Sequence, residues 1–565
     1  MATTVEEPPN IARHLRLMAM RQPHRHAVVV PEGRSPGGRP RYAHMTYRQL
    51  DAEADAIAHG LAVAGVVRGS RAAVMVRPGL DFFALTFAAF RAGVTPILID
   101  PGMGLKSLGR CMDEAEPEFF FGVPKAVAVR RALGWGRETI REVFVVAPRW
   151  RWTGHRTLDE IRRLGKQRMA HRRADEPVPA PEADPHAPAA ILFTSGSTGP
   201  PKGAVYTHSI FEAQVEMFRR AYEIEPGEID LCTFPLFALF APALGMTAIV
   251  PEMDFTRPAR VDPDRLLETI DDFGPTNLFG SPALLRRVGP AAAGRGVRLT
   301  TLKRAITAGA PASPRVLEVF EALLSPPAEV FTPYGATEAM PVASIGSREI
   351  LGTTRVLTEK GEGICVGKPF PGIDVRIIRI TDEPIPTWSE DLELPDGEPG
   401  EIAVAGPIAT REYFRRPDAT RLAKIADPTR NSFFHRMGDI GYRDGSGRLW
   451  FCGRKSQRVV TADTTLFTIC CEGVFGAHPD VTRAALVGVR RRALTVPVMC
   501  VEPASPLDRP GRDRLRGELL EMGSRFAHTR GIRDIVFHPS FPVDIRHNSK
   551  INREMLAAWA ARKVR

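Results

Sequence analysis

The stretch ILFTSGSTGPPKG, Ile191 to Gly203, gathers glycine, hydroxyl side chains and one lysine into a single loop. Gly196, Gly199 and Gly203 let backbone N–H groups approach an anion closely. Thr194, Ser195, Ser197 and Thr198 add hydroxyl donors, and Lys202 adds positive charge. Such a loop suits the phosphates of a nucleotide. It is not a Walker loop, because the GxxxxGK[ST] spacing is absent and Pro200 and Pro201 precede the lysine. Taken alone, the stretch reads equally well as a Ser/Gly turn between a strand and a helix.

The surrounding elements are legible from their periodicity. TYRQLDAEADAIAHGLAVAGV has helical spacing from Thr46, with Thr46 as the cap and Gly65 as the stop. RAAVMV reads as a buried strand, GLDFFALTFAAFRAG as a buried helix and TPILID as the next strand. This alternation returns after the loop, with a helix from about Ser209, then TAIVP, DPDRLLETIDDFG and TNLFG. Strand, helix and strand in turn predict an α/β fold of parallel sheets covered by helices. The stretches ADEPVPAPEADPHAP and TDEPIPTWSEDLELPDGEPGE read as surface connections, the second leading into a β-rich stretch, EIAVAGPI. Beyond Gly453 the chain reads as a small, mobile α/β domain, placing the boundary between 1–452 and 453–565 with a hinge near 453–456.

A chain of 565 residues, 44% apolar and 25% charged, has the composition of a multi-domain globular protein. Its net charge of +11 invites a nucleic-acid or membrane reading, but much of the excess is local. Nine Lys/Arg against two acids fall in Arg149–Arg173, where no nucleic-acid motif accompanies them. That segment reads as a solvated basic face, or as a docking face for acidic lipid or a partner, with Trp150 and Trp152 at the interface. Seven cysteines without a metal-ligand spacing, and no signal peptide, point to the cytoplasm and exclude a zinc site. Leu231–Val250 is twenty residues without a charge, yet Pro235, Pro242 and Gly245 interrupt it. A buried strand, loop and helix around an apolar pocket explains it better than a membrane span.

TSGSTGPPKG resembles the phosphate loop of the adenylate-forming superfamily of acyl-CoA synthetases, luciferases and peptide-synthetase adenylation domains. Further stations of that family follow in order: AGAP at Ala308–Pro311, TPYGATEA at Thr332–Ala339, GEIAVAGPIATREYF at Gly400–Phe414, MGDIGYRDGSGRLWFCGRK at Met437–Lys455 and DIRHNSKINR near the end. The resemblance implies attack of a carboxylate on the α-phosphate of ATP, giving acyl-AMP and pyrophosphate with Mg²⁺ as cofactor. It implies that Thr194–Lys202 grip the terminal phosphates, that Gly309, Ala310 and Pro311 lie beside adenine, and that Tyr334 stacks there with Gly335 next to it. Thr337 would contact the α-phosphate, Glu338 hold the metal, Asp439 take the ribose hydroxyls with help from Arg454, and Lys550 act as the catalytic lysine. Ser549 stands where that ending usually has glycine.

Departures from the family bear on what attacks the adenylate. Ser456 falls at the hinge, Val460 where acyl-CoA synthetases often carry lysine, and Asp463 where their thiol-closing loop carries glycine. Ala238 stands where a gating histidine is frequent. A hydroxyl already on the substrate would need no second binding site, since oriented internal groups reach effective molarities of about 10⁵–10⁸ M, less the strain of a four-membered ring. DPGMGLKSLGRCMDEAEPEFFFGVPKA, FPLFALFAPALGMTAIVPEMD and HRMGDIGYRDGSGRLWFCGRKSQRV are similar to the olefin β-lactone synthetases of bacterial long-chain hydrocarbon synthesis. That resemblance implies a 2-alkyl-3-hydroxy fatty acid as substrate, and association with a β-lactone decarboxylase and a 3-keto acid reductase. Phe234, Phe237, Ala238, Phe240, Phe279, Gly280 and Ser281 would line a pocket for two alkyl chains. The rival readings are a long-chain acyl-CoA synthetase or acyl-AMP ligase, and a non-catalytic acyl- or membrane-binding protein. Lys550, Glu338 and Asp439 weigh against the last, because a binding module needs none of them.

Overall fold

The computed structural model describes residues 10–147, 154–171, 184–194, 200–492, 494–543 and 551–564. Lys550, Ser549, Ser195 to Gly199, Trp150, Trp152 and most of the proline-rich stretch 174–188 lie outside the described residues.

Two large sheets carry the first 450 residues. The first runs Arg156–Thr157, Glu142–Val145, Phe119–Gly122, Arg71–Met75, Thr95–Leu98, Pro188–Thr194 and Lys202–Thr207. Its neighbours are parallel except for the last pair. The second has a parallel half through Thr247–Ile249, Ile229–Cys232, Asn277–Gly280, Arg304–Thr307 and Glu329–Ala336. From Ala339–Gly346 onward it continues antiparallel through Ile364–Pro369, Leu449–Arg454, Ser432–Arg443, Gly400–Ala405 and Asp374–Ile378. The α/β class with a β-rich portion is therefore as expected.

Local signals set the helices. Thr46 accepts from the Gln49 N–H at 3.3 Å and Gln49 returns its Oε1 to the Thr46 N–H at 2.8 Å, a reciprocal cap for Tyr47–Val63. Asp262 caps Pro263–Phe273, which ends at Gly274 with φ +53°. Leu80–Arg91 is mostly apolar and is buried continuously from Phe82 to Arg91, so it lies inside the core. Helix Leu158–Ala170 crosses Tyr47–Val63 at glycine. A Cβ on Gly165 would stand 1.7 Å from the Ala56 carbonyl oxygen, so only glycine admits this approach. This helix also absorbs part of the basic segment: Arg162 pairs with Glu53 at 2.9 Å and Lys166 with Glu53 at 2.6 Å.

Leu231–Val250 resolves into strand Ile229–Cys232, helices Pro235–Ala238 and Phe240–Leu244, and strand Thr247–Ile249. Among the described residues no helix is long and apolar enough to cross a membrane. The last hundred residues form their own three-stranded sheet, Val481–Arg491, Leu494–Pro503 and Asp534–Phe537, covered by Thr468–Gly476, Arg509–Ser524 and Arg553–Ala561. Two buried cores there draw all their buried members from Val459 onward.

Candidate active site

The two strands flanking the phosphate-type loop pair antiparallel, with Thr194 opposite Lys202. The flanking strands thus form a hairpin, and the helix expected from about Ser209 starts at His208, after the second of them. Lys202 holds its ammonium 5.0 Å from the centroid of the Tyr413 ring.

A second hairpin packs beside this one. Strands Glu329–Ala336 and Ala339–Gly346 pair Ala336 with Ala339, leaving Thr337 and Glu338 as the two turn residues. A Cβ on Gly335 would lie 2.8 Å from the Ala339 carbonyl oxygen, so glycine is needed to close this turn. The turn is held from several directions. Tyr206 donates its hydroxyl to the Thr337 carbonyl. The Glu338 carbonyl accepts from the Thr410 N–H at 2.8 Å and from Thr410 Oγ1 at 3.1 Å. Gln214 donates to the Met340 carbonyl at 2.9 Å. The Glu338 carboxylate accepts from Tyr413 Oη at 2.7 Å through Oε1, while Oε2 has no hydrogen-bond partner among the described residues. Burial and the adjacent Glu338 charge hold the Tyr413 hydroxyl far above its ordinary range, so it remains a donor.

Asp439 and Arg454 stand opposite each other on neighbouring strands. Asp439 Oδ1 is 3.0 Å from Arg454 Nη1, and Oδ2 accepts from Tyr334 Oη at 2.7 Å. Burial, then the Asp439 charge, raises Tyr334 as well. This puts a buried carboxylate, a guanidinium and an aromatic face within one short reach. Gly309, Ala310 and Pro311 follow strand Arg304–Thr307 after a single residue, Ala308, with Gly309 at φ +96°.

Sequence reasoning missed two titratable neighbours. Lys424 and His435 are register partners on adjacent strands. Lys424 donates to the Thr410 carbonyl, and its pKa is drawn down to about 7 by burial, against an opposing pull from Glu338. His435 is buried and neutral, its pKa lowered by burial and then by Lys424. Lys424 falls in none of the motifs quoted above and His435 only opens one of them, whereas Tyr413 and Thr410 lie inside theirs. Periodicity gave no sign of their roles, because each acts through a segment distant in sequence.

The expected acyl pocket is an aromatic cluster. Phe237 stacks on Phe279 at 4.2 Å between centroids, with Phe234 5.5 Å and Phe240 6.1 Å from Phe237. Ala238 and Gly280 are buried beside them. Ser281 instead caps helix Pro282–Gly294 through the Leu284 N–H at 3.3 Å. Helix His208–Ala221 adds Phe218, 5.4 Å from Phe240, and Phe211, 6.1 Å from it, neither of which sequence had singled out.

Val543 and Ile551 pair across the stretch that contains Lys550. Just beyond, Arg553 donates to Gln457 Oε1 at 3.0 Å and pairs with Glu472, tying this ending to the segment after Arg454. Lys455 reaches back to Glu401 at 3.1 Å, and Arg458 to Asp382 at 2.6 Å. Asp463 lies at an exposed turn between Val459–Val460 and Thr465–Leu466, with φ outside the left-handed region.

A family model described as AMP-binding enzyme matches residues 15–414, and the chain belongs to that family. Within it the chain stands with the olefin beta-lactone synthetases. The one from Xanthomonas campestris pv. campestris is 46% identical over 561 residues, 98% of each chain. The one from Stenotrophomonas maltophilia is 46% identical over 566 residues, 99% of each chain. Among solved structures, the amide bond synthetase McbA from Marinactinospora thermotolerans shares the fold, with TM-score 0.76 and 22% identity over 97% of this chain and 99% of that one.

Proposed function

We propose that this enzyme uses ATP to adenylate a 2-alkyl-3-hydroxy fatty acid and then closes it to a β-lactone, releasing pyrophosphate and AMP. One observation supports the adenylation half above the others. A buried Asp439–Arg454–Tyr334 group and the Glu338 turn converge on the Lys202 hairpin. Full-length kinship with the lactone-forming enzymes supports the second half.

In this reading, Asp439 accepts both ribose hydroxyls while Tyr334, Gly335 and Gly309 to Pro311 flank adenine. Thr194 to Lys202 hold the terminal phosphates, and Thr337 meets the α-phosphate. Glu338 fits Mg²⁺: it is a single carboxylate with one oxygen fixed by Tyr413, suited to an ion whose other ligands are phosphate oxygens and water. The metal would supply charge neutralisation on those oxygens. Lys550 bridges the substrate carboxylate and the α-phosphate from the small domain, 453–565, which turns on 453–456. A carboxylate oxygen bonds to the α-phosphorus as the bond to pyrophosphate breaks. The 3-hydroxyl oxygen then bonds to the acyl carbon as AMP departs, and the hydroxyl proton goes to solvent. The aromatic cluster around Phe237 takes the alkyl chains.

The test is incubation with ATP, Mg²⁺ and a 2-alkyl-3-hydroxy acid, with and without coenzyme A, followed by NMR of the product. Lactone ring protons at equal rates under both conditions are expected. A thioester formed only with coenzyme A would replace this reading with that of an acyl-CoA synthetase.

A further inference from the structure

We infer that Lys424 is a positioning residue for Glu338, working through Thr410. The inference rests on Glu338 as the metal-side carboxylate. The links are consecutive: the Lys424 ammonium donates to the Thr410 carbonyl, and Thr410 gives both its N–H and its hydroxyl to the Glu338 carbonyl. Three residues on, Tyr413 holds the carboxylate of the same glutamate at 2.7 Å. Ala409 also forms an antiparallel bridge with Ala339. One short segment, 409–413, therefore grips the main chain and the side chain of Glu338, and Lys424 pins that segment from behind.

The choice of a lysine at this place is informative. Its ammonium lies over the Phe433 ring, 5.2 Å from the centroid. A methionine or leucine would fill that contact without the penalty of withdrawing a charge from water. What an apolar side chain lacks is the donor at the Thr410 carbonyl. The groups that face or surround this ammonium are Glu338 on the turn, His435 on the partner strand, Thr410 and Phe433. Lys202 and Arg454 are close enough for their charges to act on His435 too. Of these, Glu338 is the group whose placement the adenylation step requires.

The experiment compares two ligands that share the ribose site and differ in their need for metal: AMP, and α,β-methylene-ATP with Mg²⁺. Calorimetric titration of Lys424→Met should show about a tenfold loss of affinity for the magnesium analogue, less than the full worth of a charged hydrogen bond because the bond removed positions Glu338 without touching the ligand. AMP affinity should stay within about twofold of wild type, because the Asp439 group is untouched. Equal losses for both ligands would mean general damage to the fold and would overturn the inference, as would no loss for either. Glu338→Gln is the reference. If it leaves magnesium-dependent binding intact, the metal reading itself fails. If it weakens binding while Lys424→Met does not, only this inference fails. Should Lys424→Met not fold, Thr410→Val removes one link of the same relay and should show the same ligand-selective loss. Its absence would overturn the inference.

Discussion

Replacing Asp439 by asparagine keeps the shape of the side chain and removes its charge, so it isolates what the carboxylate contributes. In the present geometry the two oxygens face Arg454 at 3.0 Å and Tyr334 at 2.7 Å. An amide can satisfy both only if its oxygen faces the guanidinium and its nitrogen faces the Tyr334 oxygen, which turns from donor to acceptor. The neighbourhood can therefore stay hydrogen-bonded, at some loss of stability from the less well compensated Arg454. The larger effect should appear on the nucleotide. A hydrogen bond to a charged group is worth about 1.5–3 kcal/mol and a neutral one about 0.5–1.5. Losing the charge under two ribose hydroxyls thus costs about 2–3 kcal/mol, which is about 30–150-fold in affinity.

Titrating wild type and Asp439→Asn with AMP measures this directly. Pyrophosphate, which has no ribose, is the matched control and should bind both proteins alike. A thermal melt on the same samples reports the structural cost separately. If AMP affinity changed by less than threefold while the KM for the acid rose, Asp439 would belong to the acyl side and the placement of ribose would be wrong.

Lys550→Ala should reduce acid-dependent pyrophosphate release by about 10²–10³, the usual cost of one charge-stabilising donor. Release within a few-fold of wild type would remove Lys550 from the mechanism. A 2-alkyl acid without the 3-hydroxyl should be adenylated once and then stall, visible as a single rapid burst of pyrophosphate that coenzyme A does not extend; steady turnover to a thioester would refute this. Phe237→Ala, which removes the ring stacked on Phe279 at 4.2 Å, should raise KM for long-chain acids more than for short ones, and an equal change for both would count against the pocket. Burial pushes the Asp230 carboxyl up to about 6, above its ordinary 3.8, so the folded state favours the protonated form. Its contribution is complete below about pH 3.8 and is lost as pH rises through 6. Asp230→Asn should accordingly raise Tm more at pH 7.5 than at pH 4.5, and a pH-independent change would contradict that linkage.

Much of this fold could be read in advance because its signals are local. Thr46 with Gln49, Asp262 with Gly274, and the alternation of apolar strands with helices each depend on residues within a few positions. At the candidate site, placement was legible where a short motif closes on itself: Glu338 sits at a hairpin tip because YGATEA closes one. Legibility ended where position depends on pairing between distant segments. Thr410 lies 72 residues from Glu338, and Tyr206 lies 131 from Thr337. Phe211 and Phe218 look like ordinary core positions of an amphipathic helix, and only the sheet topology turns them towards Phe240. Lys424 and His435 become neighbours through strand register, which a single sequence does not specify.

Two features bear jointly on how an acyl adenylate made here would be spent. On the small-domain side, the turn that would close around an external thiol carries Asp463, exposed and negatively charged, beside an exposed Val460. An anionic coenzyme gains nothing from either residue. On the pocket side, the rings of Phe234, Phe237, Phe240 and Phe279 pack against one another. A hydroxyl tethered two carbons from the activated carbonyl needs no docking surface, and its effective concentration of about 10⁵–10⁸ M is discounted only by ring strain. Its real competitor is water, since a mixed anhydride hydrolyses readily once water reaches it. Walls of aromatic rings filled by two alkyl chains address that competitor and do nothing for a thiol. A site with poor provision for an outside nucleophile and good provision against solvent is one in which the substrate supplies its own.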